Sequence, residues 1–137
     1  MTTRIDIDGL EKLLQRLDPE RAQKILDSLI TRATALVLAE TKKPGPRGPR
    51  PRPIMMGGRV FRDMTLGEYT PVMTGNLRRS ITSRVELTRQ RGIVGTNVVY
   101  AKWVHRRKPF LEWALQRAQE PIRDEIDRAG QKIVGNP

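Results

Sequence analysis

The chain opens with apolar residues at alternate positions, Ile5 and Ile7, then moves to helical spacing through Leu10, Leu13, Leu14 and Leu17. This change of period predicts a short lead-in followed by a helix from about Asp8 or Gly9 to Leu17. Asp18 followed by Pro19 is an N-cap with proline at the first helical position, where the missing N–H costs nothing. A second helix should therefore begin there. Ala22, Ile25, Leu26, Leu29, Ala33 and Leu36 recur at three and four residues and give one apolar stripe running to about Lys42. Lys42 and Lys43 suit the negative end of that helix, and Pro44 forbids its continuation.

Beyond it the pattern is lost. The stretch from Pro44 to Pro53, PGPRGPRPRP, alternates prolines with arginines and contains no acid, so it predicts an extended, solvated arm of polyproline II type. At ~3.1 Å per residue such an arm reaches roughly 30 Å. Ile54, Met55 and Met56 then face Arg59, Val60 and Phe61 across Gly57 and Gly58, a pair suited to a tight hairpin turn. A lone two-stranded hairpin is marginal in water, so this apolar tip is expected to be held by another chain.

Periodicity resumes at Thr74, Gly75 and Asn76, whose chemistry is that of a turn. Leu77 and Ile81 open a new apolar series. Ile81, Val85 and Leu87 alternate with Thr82, Arg84 and Glu86, which predicts a half-buried strand. A turn over Arg89 to Gly92 and a return strand over Ile93 to Tyr100 follow. A helical turn around Ala101 to Val104 comes next. Leu111, Ala114, Leu115, Ala118, Ile122, Ile126, Ala129 and Ile133 then define a long C-terminal helix, with Pro109 near its start and Pro121 expected to kink or break it. The fold class is α+β: two to three helices on a small antiparallel sheet. A long Pro/Arg-rich arm carrying a hairpin, residues 43–70, is inserted in a single domain spanning 1–137.

Composition fits that picture. At 137 residues the chain suits one domain and can bury about two thirds of its unfolded surface. The absence of cysteine removes disulfides and thiolate metal sites, and no apolar run approaches the roughly 18 residues of a membrane span. The balance of 26 Lys and Arg against 15 acids, a net +11, favours an anionic partner: nucleic acid, an acidic protein surface or a membrane.

Three segments, PVMTGNLRRSI (71–81), VVYAKWVH (98–105) and KPFLEWAL (108–115), stand in an order that resembles the tail-completion and head-to-tail joining proteins of long-tailed bacteriophages. Those proteins commonly show a Pro, a TG-N-L-R-x-S-I element, a YA pair and a final P-F-L-x-x-A-L helix. The chain departs from them in placing His105, Arg106, Arg107 and Lys108 where an acidic residue and a Gly-rich loop are usual, and in its Pro/Arg insert. The resemblance implies a structural virion protein of the neck or head-proximal tail end, made in the host cytoplasm. It further implies a homo-oligomeric ring of sixfold order, stacked on an adaptor or stopper ring and on the tail terminator or tube, with genome DNA passing through its lumen. No membrane partner is implied.

Candidate contact residues are Arg47, Arg50, Arg52, Arg59 and Arg62, which can reach phosphates or an acidic neighbour, with the adaptable tip Ile54, Met55, Met56, Val60 and Phe61. Four of the six aromatics, Tyr100, Trp103, Phe110 and Trp113, are read as core and interface anchors, with base stacking as the alternative. Catalysis has little support: the one histidine, His105, has no orienting partner in the sequence, and Asp6 and Asp8 read as caps. No enzyme activity, cofactor or metal is expected. The competing functions are a nucleic-acid-binding module using the arm and a small toxin-type ribonuclease using His105 and its arginines.

Overall fold

The computed structural model describes residues 2–6, 19–56, 58–65, 67–72 and 75–134. The expected helix between Asp8 and Leu17, and its neighbour Asp18, lie outside the described residues. The N-terminal lead-in is a strand, β1 (Thr2–Asp6), and the stripe that follows Asp18 is the helix α1 (Pro19–Lys42). The arm contains β2 (Arg47–Met56) and β3 (Arg59–Thr65). A short helix α2 (Asn76–Ser80), strands β4 (Thr82–Glu86) and β5 (Arg91–Gly95), a helix α3 (Ala101–Arg107) and a long helix α4 (Phe110–Val134) complete the order. The α+β class holds, with a three-stranded antiparallel sheet ordered β1-β5-β4 and a separate β2-β3 hairpin.

Helices α1 and α4 run antiparallel. Arg117 meets Glu40, Arg32 meets Glu125 at 3.3 Å, and Arg21 donates to the Lys132 carbonyl at 3.1 Å, so numbers rise on one helix as they fall on the other. Buried alanines, Ala22 and Ala33 on α1 and Ala114, Ala118 and Ala129 on α4, allow close approach between them. The buried face of α1 is centred on Leu26, Ile30, Ala33 and Val37. Leu36, expected in the stripe, stands at its half-buried margin, because α1 must cover the sheet as well as α4. Pro121 does not break α4. It removes a single backbone donor, and the turns on either side are held by buried Ala118, half-buried Ile122 and the Glu125–Arg32 pair.

The three motifs that suggested a family converge in the core. Gly75 adopts φ 82° and starts α2, where Leu77 and Ile81 bury on one side and Arg78 and Arg79 fill the last turn. The Ser80 and Thr96 hydroxyls meet at 2.6 Å. Ala101 and Val104 of α3, then Phe110, Leu111 and Ala114 of α4, are fully buried within the same region. Pro109 stands immediately before α4, as a first-turn proline should.

The β4-β5 connection differs from expectation. The turn is a 3₁₀ segment, Leu87–Arg89, closed by Gln90 at φ 53°, not Arg89 to Gly92, and the return strand ends at Gly95. Leu87 is exposed rather than inward. Gly92 serves packing instead, since a Cβ there would lie 1.8 Å from Thr34 Oγ1, whose hydroxyl is turned back onto the Ile30 carbonyl at 2.7 Å. Only glycine lets α1 sit this close to the central strand. Gly92→Ala should cost about 1–3 kcal/mol, as overpacked cores do, seen as a lower urea midpoint. Adding Thr34→Ala should recover part of the loss, and no recovery would place the strain elsewhere.

At the end of the β4-β5 ladder, the Glu86 carboxylate accepts from Arg91 Nε at 2.9 Å and Arg84 Nη2 at 2.8 Å, with Arg89 at 3.6 Å. The Arg91 hydrogen bond, followed by the charges of the three arginines, holds Glu86 below the ordinary glutamate value of 4.5. A depressed folded-state pKa stabilises the fold above the unfolded value, and that contribution is lost as pH falls through the folded one. Glu86→Gln should therefore lower stability at neutral pH and flatten the acid side of the stability profile below pH 4.5. Parallel acid titrations of the two proteins would show no such flattening if the cluster were indifferent to folding.

Candidate partner-binding surface

The arm leaves the body at the C-terminus of α1, where helix geometry strands carbonyl oxygens without partners. Two of these are met from distant parts of the chain. Thr70 Oγ1 donates to the Thr41 carbonyl at 2.6 Å, and Arg117 Nη2 donates to the Glu40 carbonyl at 2.9 Å. The same guanidinium pairs through Nε with the Glu40 carboxylate at 2.9 Å, donates through Nη1 to the Glu68 carbonyl, and lies 4.5 Å over the Tyr69 ring. One planar fork thus neutralises the helix end, an acid and a loop while covering an aromatic face, which a lysine cannot do.

Both strands of the arm are fixed at this root. Tyr69 presses on Gly45, where a Cβ would come within 2.7 Å of the ring. Buried Thr65, the last residue of β3, accepts from the Val72 N–H at 3.3 Å, and its carbonyl accepts from Lys108 Nζ at 3.3 Å. Neither Arg117 nor Tyr69 stood out in the sequence. An arginine on a helix reads as solvated until the partner helix's end is placed beside it.

Beyond the root, the expected polyproline arm is a strand from Arg47 on, paired with β3. Prolines at positions 49, 51 and 53 each remove a backbone donor from β2. A break in register lies between Arg47 and Arg52. The contact residues expected from the sequence all fall on this hairpin: Ile54 stands opposite Phe61, Met55 opposite Val60, Met56 opposite Arg59 and Pro53 opposite Arg62. Gly58 takes φ 75° at its tip. Arg47 is exposed, while the side chains of Arg50, Arg52, Ile54, Met55, Met56, Arg59, Val60, Phe61 and Arg62 lie outside the described residues. The strands of the arm contact chiefly each other.

A second exposed face is formed by α3. Trp103 is 47% exposed and Val99, just before the helix, 85% exposed. Lys102 Nζ lies 4.9 Å and the Arg106 guanidinium 5.1 Å from the Trp103 ring centre. Of the four clustered aromatics, Phe110 is fully buried, Tyr100 and Trp113 are half-buried, and Trp103 alone is exposed.

His105 is half-buried on α3. It meets Phe110 edge to face at 5.5 Å, and its Nε2 is buried with no hydrogen-bond partner. No carboxylate or second imidazole orients it among the described residues. No group of metal-ligating side chains occurs among them, and no helix is long and apolar enough to cross a membrane. No family model, curated protein or solved structure matches the chain.

Arg117→Ala should free the root of the arm. Amide hydrogen exchange over residues 65–72 should quicken, with a global loss of about 1–3 kcal/mol from the charged hydrogen bonds. Arg117→Lys should fall between. Unchanged exchange in that segment would show that Thr70 and Tyr69 hold the root unaided.

Proposed function

We propose that this chain is a structural joining protein of a virion, a ring-forming component of the neck or the head-proximal tail end, and not an enzyme. The single observation that supports this most is the arm: a hairpin rooted on the body by Arg117 and Tyr69, whose strands, among the described residues, contact chiefly each other. A hairpin of that kind is marginal alone and gains its stability from a surface outside its own domain. The order of the three motifs adds the resemblance to phage joining proteins, whose rings, of sixfold order, stack between an adaptor or stopper and the tail terminator or tube. In this reading the Arg47–Arg62 hairpin clasps a neighbouring subunit or ring, with its arginines on acidic side chains and its Ile, Met and Phe residues in an apolar recess. DNA passing through the ring would meet a positive wall without being gripped, because each tight phosphate contact adds salt-dependent affinity that opposes sliding.

Removing Arg47–Phe61 should leave a folded body with a similar melting temperature. In the virus that encodes it, filled heads and finished tails should then accumulate unjoined in electron micrographs. Joined particles at normal yield from that mutant would refute the clasp. Duplex DNA binding by the purified chain that falls steeply with salt and disappears with the arm would instead favour the nucleic-acid-binding module.

A further inference from the structure

Two faces outside the arm carry opposite, unspent charge. The first is on α3: Lys102 and Arg106 sit over the exposed Trp103 ring with Arg107 beside them, and none of the three has a carboxylate partner among the described residues. The second is on α4. Glu120, Asp124 and Asp127 are spaced four and three residues apart, so they share one stripe about two turns long. All three are exposed, and they stand opposite the face that buries Ala118, Ile122 and Ala129. They too have no ion-pair partner among the described residues, although Glu125, one residue from Asp124, binds both Arg32 and Arg128. Arg123 borders the stripe and leaves it net acidic.

We infer that the α3 face of one copy docks on the α4 acidic stripe of the next, with Trp103 as the apolar anchor and Lys102 and Arg106 as the ion-pair donors. The two faces are complementary in charge within one chain: the cationic face needs acids at helical spacing, and the same molecule presents them on a different helix. An exposed tryptophan flanked by arginine has the composition of an interface hot spot. A contact between two different faces is heterologous; it makes a ring where the rotation it repeats closes and an open filament where it does not. Nucleic acid would meet the same cations through its phosphates, so duplex binding is measured beside association. The contact deepens the ring reading above and rests on it for closure alone.

The test uses the full chain in sedimentation velocity at low and high NaCl. The wild type should associate at low salt and dissociate at high salt, as screened ion pairs do. Lys102→Glu with Arg106→Glu should weaken association at least tenfold, and Glu120→Lys with Asp124→Lys and Asp127→Lys equally so. All five changes in one chain should restore it. Trp103→Ala should weaken association without lowering the melting temperature, which separates loss of the anchor from loss of the fold. A wild type monomeric at every concentration and salt, or association indifferent to both reversals, would overturn the contact. So would an α3 reversal that abolishes duplex DNA binding and leaves the mass unchanged. Rings that persist through both reversals would spare the neck reading while sinking this contact. Charge-dependent association in a chain whose loss leaves heads and tails joined would do the opposite.

Discussion

The exit of the arm from the body depends on how the C-terminus of α1 is satisfied. A helix ends with carbonyls that need donors, and here the chain must also turn outward into a long excursion that contributes little to the core. Arg117 resolves both demands from another helix: it caps the Glu40 carbonyl, neutralises the Glu40 carboxylate, grips the Glu68 carbonyl and covers Tyr69. The incoming and outgoing strands of the arm are thereby tied to one point. An arm attached in this way has a defined direction even where its own strands touch little else, and direction is what a clasp between subunits requires.

That point is itself fixed by the α1-α4 pair. Arg32 and Glu40 are eight residues apart, as are Arg117 and Glu125, so the two ion pairs hold the same helical register two turns apart. Small side chains between the helices keep them close, and Gly92 lets α1 settle on the central strand. Helix register, sheet contact and arm root are consequently one mechanical system. A shift of α1 along α4 would move Glu40 away from Arg117 and release the loop that carries Tyr69.

Alternate prolines give the arm a further property. They remove backbone donors from β2, which discourages indiscriminate strand addition. A basic, apolar-tipped hairpin without such protection would be open to pairing with any exposed strand. In the proposed assembly the cationic α3 and the acidic α4 stripe supply contacts of a different kind, on the body, so the arm and the docking faces reside on separate elements.

Much was legible in the sequence because it depends on near neighbours. The span of α1 follows from Pro19, the 3.6-residue apolar spacing and Pro44; the hairpin follows from two glycines between Ile54–Met56 and Arg59–Phe61; the start of α4 follows from Pro109. The order of the three motifs was legible, while the packing of Leu77, Ile81, Ala101, Val104, Phe110 and Leu111 in one core is seen only in the fold. The exposed Trp103, the half-buried His105, the true turn at Gln90, the strand made by Thr2–Asp6 and the packing role of Gly92 were not legible. Each is set by which distant residue comes to lie beside it: Thr34 beside Gly92, Phe110 beside His105, β5 beside β1. Arg117 is the clearest instance. Its sequence neighbours mark it as one more basic residue on a helix, and only the antiparallel meeting of α1 and α4 places a stranded carbonyl, a carboxylate and an aromatic ring within reach of a single guanidinium. Local spacing therefore determined the elements, while the close approach of segments far apart in the chain decided what each polar group does.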